Sequence, residues 1–249
     1  PPNRGHRIRS FHWLRFMATR AEVHLAYLAD TPPLRETTEA LERVCARVAA
    51  VPLGEKARWL RASLALTSGR TATEGLFASP ELREVVRRWT SELRFDAVVA
   101  YCSSMVQYLD VPGLAGVPTI VDLVDVDSQK WFDYAAHARG PKRWLFSLEG
   151  RRLRRLECSL ADRAQAIVLV SPEETALYSR FSPTDRVRTI SNGVDLDYFR
   201  PDEPCHRETS GCVFVGALDY RANLDGLQWF IGNAWPEIHR LRPETRLRL

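Results

Sequence analysis

The chain has 249 residues, 45% of them hydrophobic and 27% charged, a composition that suits a packed globular fold and is too apolar for a disordered one. Thirty-five basic residues against thirty-one acidic ones, a formal charge of +4, is too small an excess for a nucleic-acid binder. No apolar run approaches the roughly 20 residues that cross a bilayer. Five scattered cysteines, never in a Cys-x-x-Cys pair, fit a reduced, cytoplasmic setting in which thiols serve as small apolar residues. At about 100–150 residues per domain, the length allows one large domain or two smaller ones. No signal peptide is visible, and the start at Pro1-Pro2 without an initiator Met and the strand-like ending "TRLRL" lead us to expect a piece of a longer protein.

The opening "PPNRGHRIR" is a proline-glycine loop that runs into a helix with Ile8, Phe11, Leu14 and Ala18 at helical spacing. "EVHLAYLA" predicts a strand and "PLRETTEALERVCAR" a helix starting near Pro33. "FDAVVAY" and "QAIVLV" are nearly unbroken apolar runs, the pattern of parallel strands covered on both faces. Between them come "PTIVDLVD" and a long helix from about Pro141 to Asp162. "SPEETALYSRF" predicts a helix with Ser171 as N-cap, Pro172 at its first position and Glu174 closing a capping box. This alternation predicts a doubly wound parallel α/β sheet. In "TISNGVDLDYFRP", Asn192-Gly193 turns the chain at the end of the last strand of a first domain. A polar stretch then leads to a second domain that opens with the buried strand "CVFVGALDY" and the helical "LDGLQWFIGNAWPEIHRL". The expected division is a first domain over 1–191, a crossover over 192–210 and the start of a second domain over 211–249.

In open α/β sheets a ligand lies beyond the carboxyl ends of the strands, against helix N-termini whose free N–H groups attract anions. At the opening loop, Gly5 lets backbone approach a phosphate and Arg4, Arg7 or Arg9 neutralises it; a plain turn with solvated arginines is the other reading. Asp125, at the end of "PTIVDLVD", either reaches a ligand hydroxyl or braces its loop, while Asp127 or Ser128 caps the next helix. Gly216 ends a strand in the second domain, and the chain reaches the following helix through Asn223 and Asp225. Asp125-Val126-Asp127 and Asp195-Leu196-Asp197 both match a metal-holding D-x-D, a pattern too short to carry weight, and the six histidines are dispersed. The pairs Glu84/Glu92 and Glu149/Glu157 lie among arginines, as salt-bridged helix faces would. No G-x-S-x-G, H-E-x-x-H or Walker A sequence is present. Two basic stretches carry aromatics, "EKARWLRASLALTSGR" and "GPKRWLFSLEGRRLRRLE". They read as solvated surface helices, or as helices on an anionic membrane with Trp144, Leu145 and Phe146 dipping in.

Taken in order, "FDAVVAY", "SLADRAQAIVLVSPEETALYSRF", "TISNGVDLDYFRPD" and "CVFVGALDYRANLDGLQWF" resemble the family 4 glycosyltransferases of GT-B fold, over nearly the whole chain. The "NGVD…YFRPD" crossover and the strand ending at Gly216 are the most specific parts. The opening loop and "VDLVDVDSQKW" resemble the branch associated with exopolysaccharide and PEP-CTERM gene clusters. The resemblance implies two Rossmann-like halves, an acceptor half lacking its first strand here and a half for a nucleotide-diphosphate sugar. It implies retaining transfer to a polysaccharide or lipid-linked acceptor, with no metal or other cofactor, in the cytoplasm or at the inner face of the cell membrane. Asp125 would stand near the transferred sugar as the catalytic residue; Arg4, Gly5 and Arg9 would face the donor diphosphate, and Gly216 and Asn223 would meet its phosphates from the second half. The family's basic pair and Glu-x7-Glu motif do not occur in the second-domain segment, so residues 1–249 are expected to be inactive alone. A GT-B sugar-nucleotide epimerase and a non-catalytic α/β binding domain are the alternatives, since fold does not fix reaction.

Overall fold

The computed structural model describes residues 5–200, 211–218 and 221–249, and the chain divides into two compact units, 1–193 and 194–249. In the first, α1 (Gly5–Ala18) buries Leu14 and Arg9 and leaves Ile8 exposed, so the inner face of this helix carries a charge. β1 (His24–Ala29), α2 (Arg35–Glu42) and β2 (Arg47–Pro52) follow, and the two strands pair in parallel from His24–Arg47 to Ala29–Pro52. β2 has no counterpart in the sequence reading, because "RVAAVP" is short, small in its side chains and mostly uncovered. Three helices come next: α3 (Glu55–Thr67), α4 (Ala72–Leu76) and α5 (Pro80–Glu92).

The larger sheet is built from β3 (Val98–Tyr101), β4 (Thr119–Val124), β5 (Ala166–Leu169) and β6 (Val187–Thr189), all parallel and side by side in chain order. Its crossovers hold α6 (Asp127–His137), α7 (Pro141–Arg163) and α8 (Pro172–Phe181). The apolar runs are buried as their pattern demands: Val121, Leu123, Ile167 and Leu169 pack with Leu160, Ala164 and Tyr178. Each fully buried large side chain contributes about 1.5–3 kcal/mol. A smaller core of Val51, Leu82 and Tyr108 supports β1 and β2, and Met105 packs against both clusters. This is the parallel α/β architecture of a Rossmann-like, GT-B type half.

Two expectations about α7 and its surroundings change. Glu84 pairs with Arg87 and Glu92 with Arg47 on exposed surfaces, as expected. Glu149 and Glu157 instead lie on the buried face of α7, with Gly150, Leu153 and Leu160. The Glu149 carboxylate accepts the N–H groups of Ala72 at 2.6 Å and Thr73 at 2.8 Å, and Glu157 accepts that of Ser128 at 2.9 Å. The first turns of α4 and α6 have N–H groups without helical partners, and these carboxylates satisfy them. Phe146 does not point outward either, since its ring packs against Trp131 at 5.4 Å and Tyr134 at 6.0 Å.

The second unit contains β7 (Gly211–Val213), α9 (Arg221–Trp229), a π-helical turn over Phe230–Ala234, α10 (Trp235–Leu241) and β8 (Arg246–Arg248). β7 and β8 pair in parallel, from Gly211–Arg246 to Val213–Arg248. The strand expected to be buried is not: Val213 is 71% and Val215 88% exposed. An apolar strand is covered on both faces only where layers exist on both sides of its sheet. Among the described residues, no helix is long and apolar enough to cross a membrane.

Candidate active site

The run "TIVDLVD" places a carboxylate, Asp122, inside a buried strand, and an unpaired buried charge is costly. Its partner is Arg9 of α1: Nε donates to Asp122 Oδ2 at 3.0 Å, with the two side chains only 5% and 3% exposed. Arg9 Nη1 donates to Asn192 Oδ1 at 3.1 Å, so one guanidinium joins α1, β4 and the segment after β6, where the turn expected at Asn192-Gly193 falls instead at Leu196–Tyr198. Its Nη2 is buried without a hydrogen-bond partner among the described residues.

Beyond Asp122 the backbone departs from a regular strand. Asp122 Oδ1 accepts the N–H of Val124 at 3.0 Å, and the register against β5 shifts between Asp122 and Val124. Val124 takes φ +67°, rare for a β-branched residue, and the N–H of Asp125 donates to the carbonyl of Leu123 at 2.9 Å. Cys102, at the end of the neighbouring β3, takes φ +71° and donates its N–H to the carbonyl of Asp122 at 2.8 Å. Among the described residues these are the two non-glycine residues with positive φ, and both lie at carboxyl ends of adjacent strands. Strain of this kind costs on the order of 1–3 kcal/mol per residue and gathers where function requires a particular geometry.

The turn leaves Asp125 exposed at the end of β4. Partial loss of hydration pushes its carboxyl above the usual range, and the negative charges of Glu174 and Asp127 push the same way, while Lys130 and Arg9 oppose them. Glu174 was expected to close a capping box with Ser171. Ser171 Oγ does accept the N–H of Glu174 at 3.2 Å, but Glu174 Oε2 accepts the N–H of Val126 at 2.7 Å and so braces the Asp125 loop instead. Burial, then Asp127, Asp122 and Asp125, push the Cys102 thiol up to about 12, which keeps it neutral and unsuited to nucleophilic attack.

The start of α6 also differs from expectation. The N-cap is Val126, without a side-chain bond, and Asp127 and Ser128 lie in the first turn. Asp127 accepts a hydrogen bond from Ser103 Oγ, and Ser128 donates through both N–H and Oγ to Glu157. Burial raises the Glu157 carboxyl to about 7 against the pull of those two bonds; Asp127 adds to the rise and Arg154 opposes it. Arg154 donates to Ser128 Oγ at 2.7 Å and covers the Phe181 ring at 3.7 Å.

Of the residues singled out in sequence, Arg4 lies outside the described residues and Gly5 is the first residue of α1. Arg9 is not a solvated loop arginine, and it and Asp125 share one electrostatic neighbourhood. Gly216 and Asn223 meet in the second unit: a Cβ on Gly216 would lie 3.0 Å from Asn223 Nδ2, which itself donates to the carbonyl of Ala217 at 3.0 Å. Asp122, Cys102 and Glu174 escaped the reading as site residues. The available signal was Asp122 itself, a lone charge within an apolar strand that requires a buried partner. Among the described residues, no group of three or more His, Cys, Asp or Glu side chains is arranged to hold a metal ion. A cavity lined by Gly116, Val117, Thr119 and Gln165 opens at the amino ends of β4 and β5, away from Asp125.

A parallel α/β domain with charged groups gathered at the carboxyl ends of its strands has its candidate site where open sheets of this kind bind ligands. Residues 9–193 match the glycosyl transferase 4-like domain, and the chain belongs to that family. The protein is therefore a member of a glycosyltransferase family, and the matched segment runs from Arg9 to just past its partner Asn192. A comparison with curated proteins finds no match.

Proposed function

We propose that the protein moves a sugar from a nucleotide-diphosphate sugar to a polysaccharide or lipid-linked acceptor, with retention and without a metal. The observation that carries this reading is Asp125, presented by a strained turn at the carboxyl end of β4 in a glycosyl transferase 4-like chain. In this reading the first domain, 1–191, holds the acceptor, the crossover spans 192–210, and 211–249 begins the donor half, with Gly216 and Asn223 near the donor phosphates. Asp125 contacts the transferred sugar. A departing diphosphate gathers negative charge as the glycosidic bond breaks, and pre-placed N–H groups and cations lower that barrier. Arg4 and the N–H groups at Gly5, the first residue of α1, are the groups of the first domain suited to that task, while the Nη2 of Arg9 is buried and would have to be uncovered to reach the donor. Exopolysaccharide assembly at the cytoplasmic face of the membrane is the setting that the opening loop and "VDLVDVDSQKW" support by resemblance.

The test is sugar transfer by the full-length protein, with a panel of labelled nucleotide sugars and extracted membrane lipids as acceptors. Asp125→Asn should lower transfer by roughly 100-fold or more without lowering the unfolding temperature, since the side chain is exposed and its carboxylate is held beside the negative charges of Glu174 and Asp127. A labelled sugar altered in the absence of acceptor would mark an epimerase, and tight donor binding without turnover a binding domain; either would overturn the reading.

A further inference from the structure

Helix α3 is turned inside out relative to an ordinary surface helix. It sets small residues, Ala62 and Ala65, against the protein and leaves Trp59, Leu60 and Leu64 exposed at 65%, 64% and 58%. Leu60 and Leu64 share one face at i, i+4 spacing and Trp59 flanks it, whereas a soluble amphipathic helix would bury such a stripe. Nor is the face a by-product of a loose helix. Gly75 of α4 lies so close that a Cβ there would be 2.5 Å from the carbonyl of Arg61, and Arg152 of α7 donates to the carbonyl of Leu66 at 2.7 Å. The helix is anchored by its small face, and its bulky face is presented outward.

The charges beside the face select its partner. From Lys56 to Thr73 the sequence has four basic residues and not one acid. The Arg58 guanidinium sits 5.6 Å from the centre of the Trp59 ring, at the edge of the exposed stripe. A tryptophan and two leucines set among arginines match the boundary between acyl chains and anionic headgroups, where aromatic and aliphatic side chains enter and cations meet phosphate. A helix of 13 residues lies along such a surface and cannot span it.

We infer that α3 is a membrane-docking helix that seats the protein on an anionic bilayer through Trp59, Leu60 and Leu64. The inference rests on the proposed action at a membrane-borne acceptor and, of the two basic stretches, assigns the contact to the one that forms α3 rather than to the start of α7, where Trp144 and Leu145 are exposed but Phe146 packs within the protein.

The test is flotation of the full-length protein with vesicles of equal parts phosphatidylglycerol and phosphatidylcholine, and with phosphatidylcholine alone. Binding should require phosphatidylglycerol and weaken as salt is raised. The variant Trp59→Ser/Leu60→Ser/Leu64→Ser should lose roughly tenfold or more in vesicle affinity, while Trp144→Ser/Leu145→Ser binds as the parent does. Leu60→Asp, a single change at an exposed position, should reproduce the loss if the triple variant folds poorly. Failure to bind, equal binding to both vesicles, or binding untouched by Leu60→Asp would overturn the inference. So would sedimentation showing that the same substitutions dissolve a dimer, since the face would then belong to a second copy. Flotation needs neither donor nor turnover, so its failure is separate from a failure of sugar transfer.

Discussion

The guanidinium of Arg9 and the carboxylate of Asp122 form a pair that only a three-dimensional arrangement explains, since the residues lie 113 positions apart. Removing one partner from a buried pair leaves the other charge uncompensated. Asp122→Asn should therefore lower stability by about 3–5 kcal/mol in urea unfolding, whereas Arg9→Met with Asp122→Leu should recover much of that loss. A double variant as unstable as the single one would show that the charges themselves matter less than the bonds to Val124 and Asn192. Val124 supplies a contrasting case. Valine to glycine inside a regular strand destabilises, but Val124 has φ +67°, where glycine carries no steric cost. Val124→Gly should be neutral or stabilising by up to about 1 kcal/mol, and should reduce activity by loosening the turn that presents Asp125.

At the scale of elements, α7 acts as a strut whose buried glutamates cap two other helices, α4 through Glu149 and α6 through Glu157. The second cap is pH-sensitive. The Glu157 carboxyl, raised by burial to about 7, holds its proton in the folded chain at pH values where the unfolded chain has released it. Folded protein then binds more protons than unfolded protein, so stability is fully present below the ordinary carboxylate range and falls as pH rises towards 7. The raised Asp125 carboxyl contributes in the same direction. Urea unfolding between pH 4.5 and pH 7 should show this decline, and Glu157→Gln should flatten it; a Glu157→Gln profile parallel to that of the parent would place the proton elsewhere. The α8 cap shows how local and distant demands compete. Ser171 obeys the local rule, while Glu174 is drawn to the N–H of Val126, 48 residues away.

At the scale of the whole molecule, both hydrophobic clusters of the first unit draw only on residues up to 193, as does the family match. Residues 1–193 expressed alone should therefore unfold cooperatively, at a temperature within a few degrees of that of the 1–249 chain. A broad, non-cooperative melt would mean that the second unit supplies part of the core.

Much of the fold and part of the site were legible in the residues themselves. The apolar runs that became β3, β4 and β5, the start of α7 at Pro141, the N-cap at Ser171, and Asp125 at a strand end all follow from patterns a few residues long. Periodicity, caps and breakers act within a turn or two, so a short window holds all the information they need. The pairing of β2, the burial of Arg9 and Asp122, the inward turn of Glu149 and Glu157, and the exposed leucines of α3 were decided only by the tertiary structure. Each depends on which distant group occupies the facing position. Whether a charge is buried and paired, or an apolar face is left bare, is a property of two surfaces meeting, and one segment of sequence describes only one of them.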